Sequence, residues 1–118
     1  MNSGTAARGR DAEQHARQHL QAHGLKLLQC NYHSRHGEID LVMQDRDSVV
    51  FVEVRYRRQT RFGSAAESVD RRKQSRLIAC AQHYLQTHPH SARLPCRFDV
   101  VTINGNDSLE WIRNAFSA

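Results

Sequence analysis

The stretch Gly37–Arg57, GEIDLVMQDRDSVVFVEVRYR, reads as two strands joined by a tight turn, with acids planted in the middle of both. In the first strand Ile39, Leu41 and Met43 face one way and Glu38, Asp40 and Val42 the other. In the second, Val50, Val52 and Val54 share one face and Phe51, Glu53 and Arg55 the opposite one. Asp45-Arg46-Asp47-Ser48 supplies the turn. Acids are depleted in strands, and a buried charge is costly unless it is paired or binds a metal.

A turn centred on Arg46-Asp47 makes Asp40 face Glu53 and Glu38 face Arg55. Directly opposed side chains stand about 5 Å apart at Cβ, so two facing carboxylates repel. A divalent cation between them reverses the sign. Mg²⁺ suits one or two carboxylates together with water and a substrate phosphate, and such an ion polarises a phosphodiester. A bulge would shift the register and separate the acids. The alternative is a solvated hairpin face on which Glu38 pairs with Arg55.

Upstream, GRDAEQHARQHLQAHG (residues 9–24) has the period of a helix, with Ala12, Ala16 and Leu20 as its apolar stripe and Gly24 as its stop. Glu13 and Arg17 can pair at i, i+4. His15, His19 and His23 share a face, as a chelating set or a solvated stripe. LKLLQCNYHS is a first strand. Downstream, a basic loop leads to a second helix from about Ser68, its N-cap, to His88. Leu77, Ala81 and Leu85 form its core column, and Lys73 sits over the N-terminal end of that face. Pro89 and Pro95 bracket a loop. CRFDVVTI is a fourth strand in which Arg97 and Asp99 form an ion pair. LEWIRNAF fits a strand or a terminal helix equally well.

The 118 residues suit one domain, spanning 9–118 after a flexible tail at 1–8. No apolar run approaches the ~20 residues of a membrane helix, and no signal-peptide core opens the chain. The expected location is cytoplasmic, with no membrane partner. Cys30, Cys80 and Cys96 form no metal-binding pair and read as reduced, mostly buried thiols. The net charge of +5 and the clustered arginines favour an anionic partner, nucleic acid above all. Arg57, Arg58, Arg61 and Arg72 are the candidate phosphate contacts, with Arg55 and Lys73 nearer the acids.

Asp40 followed by Glu53-Val54-Arg55 resembles the split signature of the PD-(D/E)xK nuclease superfamily. GRDAE, GEIDLV, FVEVRYR, FG, KQSRL and RFDVV, in that order over nearly the whole chain, resemble the small bacterial YraN (UPF0102) family, described as endonuclease-like. The layout is also similar to archaeal Holliday-junction resolvases. The resemblance implies an α/β, restriction-endonuclease-like fold: a central mixed sheet flanked by helices, in the order α-β-β-β-α-β. It implies Mg²⁺ or Mn²⁺ held by Asp40, Glu53, Glu13 and the Val54 carbonyl, with Glu38 as a further ligand. It implies phosphodiester hydrolysis, with DNA ahead of RNA, and two-ended cutting would favour a homodimer. The motif's third residue is usually Lys, and here it is Arg55. A guanidinium stays protonated and cannot act as a general base, although it can hold a phosphate oxygen. Lys73 is the candidate to supply the missing ammonium. A catalytically silent nucleic-acid-binding module is the alternative.

Overall fold

The computed structural model describes residues 5–57 and 69–118, with side chains from Arg10 onward. The chain runs α1 (Thr5–Ala22), β1 (Lys26–Ser34), β2 (Gly37–Asp45), β3 (Ser48–Arg57), α2 (Arg71–Thr87), α3 (Pro89–Ala92), β4 (Cys96–Asn104) and β5 (Leu109–Phe116). The strands form one sheet in the order β1-β2-β3-β4-β5. All neighbours are antiparallel except β3 and β4, whose parallel pairing requires the crossover that α2 provides. This is the mixed, helix-flanked sheet of a restriction-endonuclease-like fold.

The sheet is covered on both faces. Ala12, Ala16 and Leu20 of α1 pack on Leu41, Met43, Val50 and Val52. Leu77, Cys80, Ala81 and Tyr84 of α2 pack on Ile39, Val42, Val49 and Phe51. The unbroken run Val49–Val52 is therefore buried residue by residue, each alternate side chain feeding a different core. This overturns the solvated hairpin face: β2 and β3 lie inside the sheet, and Val42 is core.

Several boundaries move. The helix opens at Thr5, inside the stretch read as a tail. Ser68 lies outside the described residues, and α2 is capped instead by Asp70, which accepts from Lys73 N at 2.8 Å. A single helical turn, α3, occupies the expected Pro89–Pro95 loop. LEWIRNAF is a strand, β5. Its apolar residues suit either structure, and pairing with β4 along one side decides for the strand. Cys80 is buried, but Cys30 and Cys96 are exposed, so the expectation of mostly buried thiols holds for one of the three. No helix among the described residues is long and apolar enough to cross a membrane.

The Arg97–Asp99 ion pair is present and anchors more than expected. Asp99 is fully buried and accepts from Arg97 Nε at 3.0 Å, Trp111 Nε1 at 3.0 Å and Asn114 N at 2.9 Å. Arg97 also reaches Asp45 at 3.1 Å. Of the three aligned histidines, His19 in α1 and His23 just past its end stand edge-on to Trp111, at 5.9 and 5.6 Å.

Candidate functional site

The β2–β3 ladder has the expected register from Asp45↔Ser48 to Leu41↔Val52, and there it stops. Asp40 and Glu53 are not ladder partners, nor are Glu38 and Arg55. The reason lies in β2 itself. Ile39 and Leu41, two apart and expected on one face, join opposite cores, so the alternation breaks at Asp40. Asp40 Oδ2 instead accepts from Val54 N at 2.8 Å, and the side chain takes the place of a backbone partner where the strands part.

Into that split come acids from both layers. Glu53 of β3 and Glu13 of α1 each bring a carboxyl up to that of Asp40, close enough for each to act on the other's charge. Glu13 thus faces Asp40 rather than the expected Arg17. Opposite Asp40 on β1, Asn31 adopts a left-handed φ of 53°. With its amide nitrogen turned to the acids, Asn31 donates to Glu38 Oε2 at 2.9 Å and Glu13 Oε1 at 3.1 Å. Glu38 so belongs to the rim of the cluster. Its side-chain neighbour is His33 Nε2, at 3.5 Å, and not Arg55.

Two cations meet Glu53 on the same oxygen: Arg55 at 3.5 Å and Lys73 at 3.6 Å. Asp70 sets the second contact by capping α2, because the first turn then carries Lys73 over the acids. Arg55, Arg72, Lys73, Arg76 and Asp70 line an open cleft of about 220 Å³ beside them. Arg57 lies two residues beyond Arg55 on β3, half-buried. Arg58 and Arg61 lie outside the described residues.

The electrostatics follow from crowding. Glu53 is only 5% exposed, and its carboxyl is pushed up to about 7 by burial and then by Asp40, against the opposing pull of Lys73 and Arg55. Glu13 is likewise raised to about 7, by burial and then by Asp40 and Glu38. Asp40 is raised by burial, which outweighs its hydrogen bond from Val54. Burial and mutual repulsion thus both favour protonation within the cluster. Among the described residues no ready-made metal cage is formed. The donor set is nonetheless that of a hard cation, which prefers carboxylate oxygens and would relieve the same repulsion.

A stability measurement checks this. Glu53 binds its proton more tightly folded than unfolded, between its ordinary 4.5 and about 7. Its contribution is full below about 4.5 and is lost as pH rises through about 7. In chelator, the native protein should therefore lose about 5 °C or more of melting temperature relative to Glu53→Gln between pH 5 and pH 8. Parallel melting curves would refute the raised Glu53 carboxyl.

The sequence of each strand points to Asp40, Glu53, Arg55 and Val54, and the structure brings them together with Glu13 and Lys73. Sequence reasoning missed Asn31 and Asp70, and read Arg76 only as part of a basic cluster. Of the two missed, only Asn31 carried a signal, as a residue that tolerates left-handed backbone. Comparison with known proteins now places the chain among relatives. The model of the Uncharacterised protein family UPF0102 matches residues 12–103. A UPF0102 protein of Nitrosococcus oceani is 57% identical over 112 residues, covering 92% of this chain and 90% of that one. One of Stutzerimonas stutzeri is 58% identical, covering 93% and 94%. One of Nitrosomonas europaea is 54% identical, covering 97% of each chain.

Proposed function

The chain belongs to the UPF0102 family, and from its cluster of acids we propose that it is a divalent-metal-dependent nuclease acting on nucleic-acid phosphodiesters, with DNA favoured. One observation carries the reading: carboxylates from α1 and from β3 converge on Asp40 where β2 and β3 part, with two cations on Glu53. Rigid strands hold such groups better than loops do.

Asp40, Glu53 and Glu13 would hold Mg²⁺ or Mn²⁺, with the Val54 carbonyl and Glu38 completing the set. Such an ion supplies Lewis acidity toward the phosphodiester and its leaving oxygen. Arg55 donates to a non-bridging phosphate oxygen and stays charged throughout. Lys73 Nζ takes the place of the ammonium that the superfamily's motif carries at position 55. It orients the attacking water or neutralises the charge that builds on the phosphate. Arg72 and Arg57 hold flanking phosphates.

A labelled panel of duplex, single strand, four-way junction and RNA, incubated with Mg²⁺ or Mn²⁺ and with chelator, tests this directly. Metal-dependent cutting is expected, and Lys73→Ala should slow it roughly 10- to 100-fold without unfolding the protein. Arg55 favours a second reading, a binding module that has lost turnover. Salt-sensitive binding with no cutting, and activity created by Arg55→Lys, would establish that reading and remove the first.

A further inference from the structure

The cleft beside the acids does not end there. It shares Lys73 and Arg76 with a second open cleft of about 530 Å³ that takes in Arg35, His36 and Glu38. That one shares Arg35 and His36 with a third, of about 480 Å³, bounded by Gln82, His83 and Gln86. Among the α2 residues that line them, 72, 76, 79, 83 and 86 recur every three or four residues and form one stripe, flanked by 73, 77 and 82. The β1–β2 turn forms the opposite wall. A Cβ on Gly37 would stand 4.0 Å from Arg76 Cβ, so turn and helix meet there.

The charges along this run are spare. Arg35, Arg72 and Arg76 are exposed and form no ion pair among the described residues. The two acids on it are engaged: Asp70 caps α2, and Glu38 belongs to the acid cluster. Among the described residues no Phe, Tyr or Trp lines any of the three clefts, so these residues present phosphate-binding cations rather than aromatic rings for stacking unpaired bases. His83, near its far end, is already held by Tyr32.

We propose that this stripe is a track for the backbone of duplex nucleic acid. The strand runs from the acids across Lys73 and Arg76 to the Arg35-His36 turn, and on along α2 toward Gln86. From Arg72 to Gln86 the helix extends about 21 Å, or roughly six base-pair steps along a duplex axis. Contact is with phosphates rather than base edges, so it positions the substrate without reading its sequence. The proposal rests on the nucleic-acid reading of the same site and adds the direction and the strandedness.

Fluorescence anisotropy of a labelled 16-base-pair duplex, with the full chain in chelator and over a salt series, tests it without need of turnover. Arg35→Ala and Arg76→Ala should each weaken binding roughly fivefold and lower the salt slope by about 1. Lys26→Ala, at the other end of β1, should change neither. The equal-length single strand should bind more weakly than the duplex. Unchanged affinity in both arginine variants, tighter binding of the single strand, or no binding by the native chain overturns the track. Cleavage in Mn²⁺ is scored separately. A chain that binds in this way without cutting keeps the track and loses the nuclease. One that cuts with both variants unaffected keeps the nuclease and loses the track.

Discussion

Asp40→Asn is expected to lower metal-dependent cleavage by roughly 10³-fold or more while leaving the fold as stable as before. A cation held by carboxylates contributes several kcal/mol to the transition state, and each ~1.4 kcal/mol is a factor of ten. Asn keeps an oxygen in the position that accepts from Val54 N, so the strand split stays closed. It also removes a negative charge from a crowded cluster. In chelator at pH 8 the variant should melt at or above the native temperature, because the repulsion that raises Glu13 and Glu53 has fallen. Asp40→Ala is the less clean change, since it strands the Val54 N–H at a cost of about 1–3 kcal/mol. Calorimetry with Mn²⁺ should show the loss of binding that accompanies the loss of cutting. An Asn variant that cuts at the native rate would remove Asp40 from the centre.

Asp99→Ala carries the largest expected stability effect, a loss of about 3–5 kcal/mol, or ~15 °C in melting temperature. Asp99 is wholly buried and accepts from the Arg97 guanidinium through two nitrogens, from the Trp111 indole and from the Asn114 backbone. Truncation leaves those donors without their acceptor and a half-buried guanidinium with Asp45 as its remaining partner. The site acids lie on β2, β3 and α1, so chelator-free metal binding should persist below the lowered transition. Urea denaturation measures the loss, and a change under 1 kcal/mol would show that β5 is held by packing alone.

The same two aspartates show what the sequence makes legible. Period-two alternation locates β2, β3 and β4, and the apolar stripes locate α1 and α2, because these patterns depend on burial that each residue reports locally. The hairpin register is right as far as Leu41↔Val52 because a two-residue turn dictates it. Beyond that point the pairing fails, since the break at Asp40 depends on Asn31 across the sheet and on helices pressing from both sides. Those contacts are non-local and leave no period. Charge alternation along Glu38–Asp40 suggests a solvated face equally well, and only the parallel pairing of β3 to β4 puts that face indoors. Asp99 is readable as an ion-pair partner of Arg97. Its hold on Trp111 and Asn114 depends on β5, whose short sequence fits either of two structures. Lys73 is legible because the α2 column can be run backwards, whereas Arg76 and Arg35 meet only once the turn has docked.

The irregularities of the two outermost strands have a consequence for how molecules of this protein behave together. On β1, Leu28 is an extra residue without a partner on β2. On β5, the chain between Ile112 and Phe116 is longer than the stretch of β4 it faces, with Asn114 at a φ of 53°. Each bulge bends its strand and breaks the regular row of amides and carbonyls that a neighbouring chain would need for edge-to-edge addition. Arg113, over the Trp111 ring at 4.1 Å, adds a charge to the second edge. A five-stranded sheet with both margins kinked in this way resists templated growth into fibrils, and concentrated solutions should stay clear.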